Sequence, residues 1–209
     1  TAAGAPDRVP RRPTGVLCEP GHRTPVECST EEKILPEETS EEWESKERVS
    51  GDPLREWYSK EIWGQRANGD DALFEVMSLQ VFQAGLTWRM VLSRRDSFRA
   101  AFADWKIDAV AAMGEPDVER LRADPGIIRN RQKIQAVIAN AGMVLGIQKE
   151  HGTFCDWFYD RLPGSDYPSL QKKLRATFKF MGPEISRMWL MASGRITREE
   201  GDKYDPTVR

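Results

Sequence analysis

From Asp52 onward, apolar residues recur at helical spacing and are punctuated by Gly, Pro and Ser/Thr at short intervals. Leu73, Phe74, Val76, Met77, Val81 and Phe82 form one such run, which stops at Gly85. Spacings of three and four residues place them on one side of a helix. The same pattern predicts helices over 90–102, 106–112 and 115–123, the last two joined at Gly114. A long helix is expected from Arg131 to about Lys149, with Ile134, Val137, Ile138, Ala141, Val144 and Leu145 on one face. Further helices fit 154–162, 169–176 and 184–193. The period-two alternation of a half-buried strand is missing, so the expectation is an all-α domain with short connections.

The first fifty residues read differently. They hold six of the chain's 13 Pro residues and an acidic run, Glu37-Glu38-Thr39-Ser40-Glu41-Glu42, with sparse apolar residues and no period. Such a composition buries too little surface to offset ordering entropy, so residues 1–50 are expected to be a disordered, acidic extension. A short helix over Glu41–Arg48, capped by Thr39 or Ser40, is the exception. The helical domain is expected over residues 51–205, and a chain of 209 residues can give it a sizeable core. The formal charge of −2 argues against a strongly basic nucleic-acid binder. That charge is uneven. Residues 1–50 carry 11 acids and 7 bases, leaving 22 acids and 24 bases for the rest. Three Cys make no disulfide framework and point to a reducing compartment. No apolar stretch approaches the ~18 residues of a membrane span, and residues 1–15 lack the apolar core of a secretion signal.

Two places invite a chemical reading. Asp124-Pro125-Gly126 breaks the chain ahead of the long helix. Gly126 allows a tight turn and a close backbone approach, and the following helix offers unpaired amides to an anion. Arg129, Arg131 and Lys133 add charge, so the segment can grip phosphate without reading sequence. An ordinary helix–turn–helix with solvated bases is the competing reading. Gln80 shares a helix face with Val76 and Met77. A polar group there needs a partner or a function.

Several blocks then resemble one family. They are Asp52-Pro53-Leu54 with Tyr58 and Trp63-Gly64, Leu73-Phe74-Glu75, Gln83-Ala84-Gly85-Leu86-Thr87-Trp88, and Asp117-Val118-Glu119-Arg120-Leu121. Gly126-Ile127-Ile128-Arg129-Asn130-Arg131, Lys133-Ile134-Gln135-Ala136 and Phe178-Lys179-Phe180-Met181-Gly182-Pro183 continue the series. In order and spacing they resemble the 3-methyladenine DNA glycosylase type I family of the helix-hairpin-helix superfamily, over most of 52–194. The resemblance implies a helix-hairpin-helix glycosylase-like domain whose partner is double-stranded DNA with an alkylated base, extruded into an aromatic pocket. Catalysis would rest on Gln80, Tyr58 and Trp88, and the base pocket would comprise Trp63, Tyr58, Trp88 and Gln80, although core filling competes for Trp63. Leu86, after Gly85, would enter the gap left in the duplex. Gly126, Ile128, Arg129, Arg131, Lys133 and Lys179 would hold the backbone. A monomer is expected, inside the cell: cytoplasm or nucleoid in a bacterium, nucleus or mitochondrion in a eukaryote.

Two departures qualify that expectation. The family's base-reading position is a Glu, and Gln80 replaces it. Gln can still bond adenine on two atoms, but it brings neither charge nor base. A binding protein of the same fold, recognising damaged DNA without cleavage, is therefore the rival reading. A helical protein-interaction module with an acidic tail is a third, which leaves the loop and hairpin motifs unexplained. The family also ties its ends together with zinc through Cys and His. Here Ser59 occupies one His position, Lys46 stands where a Cys is expected, and 197–209 contain neither residue. No metal or other cofactor is expected; Cys18, His22 and Cys28 fit no standard zinc spacing. Cys155 is read as buried and inert, His151 as exposed at a helix end, and Asp156 as a cap or turn residue.

Overall fold

The computed structural model describes residues 52–205. The expectations for residues 1–50, including the short helix and the Cys18, His22 and Cys28 group, fall outside the described residues. Among the described residues all regular structure is helical. Helix α1 (Pro53–Glu61) begins with Pro at its first turn and is capped by Asp52, whose Oδ1 accepts from the Leu54 amide at 3.2 Å. Helix α2 (Asp70–Gln83) is the centre of the domain: Leu73, Phe74, Met77, Val81 and Phe82 are fully buried. Thr87 caps α3 (Trp88–Leu92), and α4 (Arg95–Ala101) follows. The single helix expected over 90–102 is therefore two, because Thr87 starts the first one early and the chain bends at Arg94 (φ −106°, ψ 8°).

A left-handed turn over Ala103–Trp105, with φ of 52°, 52° and 59°, leads into α5 (Ile107–Ala111). Three such residues are strained, and packing holds them. Trp105 is buried and stacks on Phe102 at 4.9 Å, beside Phe98 and Phe82. Helices α6 (Glu115–Ala123) and α7 (Arg131–His151) form a helix–loop–helix. Helix α7 is capped by Asn130, ends at Gly152 (φ 93°) and packs against α2, α5 and α6. After it come α8 (Phe154–Asp156), a π turn (Trp157–Arg161), α9 (Tyr167–Thr177), α10 (Pro183–Ala192) and α11 (Arg198–Asp202). Phe154, Phe158, Phe178 and Trp189 make a second aromatic cluster.

Asp70 joins the start of α2 to the start of α8. Its carboxylate accepts from Gln148 Nε2 (2.7 Å) and from the amides of Phe154 (2.8 Å) and Cys155 (2.9 Å). Burial alone would raise its pKa, but these three donors together hold it below the usual Asp value. A depressed carboxyl stabilises the fold above the unfolded value of about 3.9, and that contribution disappears as pH falls through the folded value. Asp70→Asn should therefore lower stability by about 1–2 kcal/mol at pH 7, discounted for a half-buried site. Urea melts should show the difference between variant and wild type shrinking below about pH 4; an unchanged difference would reject this role. Cys155 is half-buried, and burial, with Asp70 beside it, pushes its thiol up to about 12, so it stays protonated. Thr153, not Asp156, caps α8: its Oγ1 accepts from the Asp156 amide at 2.9 Å.

Candidate active site

Helix α1 delivers Tyr58 to the start of α3, where Trp88 meets it edge-on at 4.8 Å; Trp63 lies 6.0 Å from the same ring. Tyr58 is 5% exposed, and burial pushes its phenol well above the ordinary value, so it carries its proton. The hydroxyl has no hydrogen-bond partner, nor does Trp88 Nε1. Gln80 is more extreme: it is 1% exposed, and both amide atoms are buried without a partner. An amide in that state costs the free energy of its lost water contacts and calls for a reason. Orphaned atoms alone do not define a site, since Trp105 and Trp189 in the packed core also have unpaired Nε1 atoms. What distinguishes Tyr58 and Trp88 is that they border open space.

Two hollows share Tyr58, Trp88 and Leu92 as a common wall. The larger, about 590 Å³, has Val76 and Leu79 among its lining and a rim of mixed charge that includes Glu75, Arg95 and Arg99. Part of that charge is paired: Glu75 bonds Arg95 at 2.8 Å and lies 3.6 Å from Arg99. The smaller, about 280 Å³, is bordered by Trp63, Gln83 and Arg89 as well. Gln83 and Arg89 flank the loop 84–87 in the chain, although Leu86 itself is not in the wall of the hollow. Gln80 lies on α2 between Val76 of one hollow and Gln83 of the other, one turn from each. Gln83 was missed in the sequence; its position three residues after Gln80 was the available signal.

Gly85 is exposed with φ of 75°, a conformation that only glycine adopts without strain. It turns the chain so that Leu86 follows, half-buried, its amide bonded to the Gln83 carbonyl. The hairpin 126–133 differs in detail from expectation. Gly126 does not have a left-handed φ. A Cβ there would lie 3.1 Å from Ser97 and Asp124, so close packing explains the glycine. Ile128 packs against the core. Arg131 is engaged by Glu115 and Glu119 of α6. Lys133 departs further from a solvated phosphate ligand. It is 6% exposed, and its Nζ donates to the carbonyls of Phe82 (2.8 Å) and Ala84 (2.6 Å). It caps the C-terminal end of α2 rather than facing solvent, and burial lowers its pKa. Arg129 is exposed and makes no ion pair among the described residues, as does Lys179. Asn140 holds the Lys179 main chain at both its amide (2.7 Å) and its carbonyl (3.1 Å).

The residues around the smaller hollow do not fit zinc. Ser59 borders it where the family resemblance implies a His, and opposite stand Arg187, Asp202 and Asp205. The Arg187 side chain, 6% exposed, pairs with Glu184 (2.7 Å), Asp205 (3.1 Å) and Asp202 (3.7 Å). A guanidinium among three carboxylates draws 202–205 to α10 by ion pairing, and among the described residues that line this hollow none is a Cys or a His.

A family model described as methyladenine glycosylase matches residues 48–175. The chain is 37% identical over 166 residues to the DNA-3-methyladenine glycosylase 1 of Escherichia coli (strain K12), covering 71% of this chain and 89% of that protein. A crystal structure of 3-methyladenine DNA glycosylase I superposes with a TM-score of 0.65 at 35% identity, covering 72% of this chain and 93% of the other. A Glu-to-Gln mutant of the enzyme from Staphylococcus aureus gives 0.64 at 29% identity, over 70% and 88%. With the helical architecture, the aromatic pair and the hairpin all in one domain, the extent of these matches places the chain in the methyladenine glycosylase family.

Proposed function

We propose that the protein is a monofunctional DNA glycosylase of base-excision repair that hydrolyses the N-glycosyl bond of 3-methyladenine-like bases. The observation that carries it is the pair of partnerless polar groups on Tyr58 and Trp88 in the wall of the smaller hollow, with the unpartnered, buried Gln80 amide one turn before Gln83, which lines the same hollow. An extruded base would stack on Tyr58 and Trp88 while the Gln80 amide bonds its edge. Leu86 fills the gap, and Arg129 with the first-turn amides of α7 holds phosphate. Water is the nucleophile. The lesion is already cationic, so its glycosidic bond is weak and recognition supplies much of what catalysis needs. Pocket, loop and hairpin come from one chain, so a monomer suffices.

The test is direct. Incubation with methylated duplex should release free 3-methyladenine, separable by chromatography. DNA binding without release would leave a damage-binding protein instead. Tyr58→Phe gives a second check. The hydroxyl has no partner, so removing it should leave the melting temperature unchanged or raise stability by up to about 1 kcal/mol. Base release should nevertheless slow, because the pocket loses a donor. Release at the wild-type rate would remove Tyr58 from the reaction.

A further inference from the structure

Three parts of the chain wall the smaller hollow. One is α1, with Tyr58, Ser59 and Trp63. The second runs from Gln83 to Leu92. The third joins Arg187, Met188 and Met191 of α10 to Arg198 and Asp202 of α11, and to Asp205 beyond it. Asp52 lies 3.6 Å from Arg89 and links the start of α1 to α3. The Gly64 amide, just past α1, donates to the Ala192 carbonyl at the end of α10 (3.0 Å). The third wall depends on α11, which is five residues long. A helix that short has no stability of its own and keeps its place through tertiary contacts.

Packing, a ring contact and ion pairs hold it. Gly201 is buried, and a Cβ there would collide with the Met191 side chain. Tyr204 rests on Tyr167 of α9, with ring centroids 4.7 Å apart. The ion pairs converge on Arg187. Glu184, one turn earlier on α10, accepts from its Nε (3.0 Å) and from a terminal nitrogen (2.7 Å), which fixes the plane of the guanidinium. The same group reaches Asp205 at 3.1 Å and Asp202 at 3.7 Å. Arg187 is buried, whereas the side chains of Glu184 and Asp202 are half-exposed. These carboxylates keep much of their water, so the pairing avoids the full cost of a buried ion pair. Packing sets how close α11 lies to α10; the ion pairs also fix the two aspartates that border the hollow.

The family resemblance implies a zinc tie between the ends of the domain, and Ser59, which stands at one of the implied His positions, lines this same hollow. We infer that Arg187 supplies the tie instead: it is a positioning residue that holds α11 and Asp205 as the third wall, and thereby sets how tightly the hollow holds an extruded base. Arg187 acts through the wall and not by bonding the base, because its guanidinium is already engaged by three carboxylates. The inference rests on the glycosylase reading.

Arg187→Met, Arg187→Lys and Asp205→Asn test it in the full chain, with free 3-methyladenine as ligand and methylated duplex as substrate. Arg187→Met should weaken free-base binding and raise KM for base release, each about fivefold, with kcat and affinity for abasic duplex within about twofold of the wild type. Arg187→Lys keeps the charge without the planar fork and should recover part of the loss. Asp205→Asn should shift base affinity and KM in the same direction as Arg187→Met. One variant makes the hollow more negative and the other less, so a purely electrostatic effect on the base would move them oppositely. Dialysis against a chelator should leave the wild type unchanged. Opposite shifts, a fall in kcat at constant KM, or loss of activity to the chelator would each overturn the inference. Wild-type base affinity and KM in the variants would overturn it too, while base release by the wild type kept the glycosylase reading intact. Should Arg187→Met fail to fold, Asp205→Asn and Arg187→Lys decide. Should the wild type neither bind the base nor release it, the glycosylase reading fails and takes the inference with it.

Discussion

Gln80→Glu should release 3-methyladenine about tenfold faster than the wild type, a gain of about 1.4 kcal/mol in the barrier, with similar affinity for abasic duplex. Gln80 is buried with both amide atoms unpartnered, and a carboxylate fits the same space. Its attraction to a cationic base about 4 Å away is worth up to about 4 kcal/mol at the effective dielectric of a protein. Much of that is cancelled by keeping an unpaired carboxylate ionised in an apolar pocket. The same burial fixes the sign of the pH effect on folding. The new carboxyl titrates above its unfolded value of about 4.3, so the variant loses stability as pH rises from there to the folded value. Single-turnover rates of free-base release and melts at pH 4 and pH 7 measure the two effects. If neither protein releases base, hydrolysis is not the activity, and the remaining function is damage binding.

Lys133→Met should lose at least tenfold in affinity for abasic duplex and about 2 kcal/mol in stability, although Lys133 itself faces away from solvent. The ammonium donates to the Phe82 and Ala84 carbonyls, at the negative end of α2 and next to the loop that carries Leu86. Met keeps the length of the side chain and removes the charge. The carbonyls then lose their donor, the loop loses its anchor to α7, and an uncompensated helix end faces an approaching phosphate backbone. Lys133→Arg, which restores charge without the compact ammonium, should recover binding only in part. The salt slope separates this account from direct phosphate contact: it should stay near the wild-type value for Lys133→Met. A slope lower by about one would return Lys133 to the DNA surface. Arg129→Ala is the control that should lower it.

The amino-acid pattern alone specified that the domain is helical and where most helices lie, because their apolar faces, Gly and Pro breaks and caps are local signals. Asp52, Thr87 and Asn130 cap the helices that they precede. It also determined the family and the identity of Tyr58, Trp88, Gln80 and the Gly85-Leu86 loop as candidates, since their blocks keep order and spacing. What each charge faces depends on the packed fold. Lys133 and Arg131 are two residues apart on one helix and read alike as phosphate ligands. Yet one is buried against α2 and the other is paired to α6, because neighbours from distant parts of the chain were not visible in either segment. The reason for Gly126 likewise came from Ser97, some thirty positions away. Phe180 looked like one aromatic in a motif until its left-handed backbone and the grip of Asn140 on its neighbour became visible. Periodicity reports which side of an element is apolar; which polar atoms lack a partner depends on long-range packing and is known only once the chain is folded.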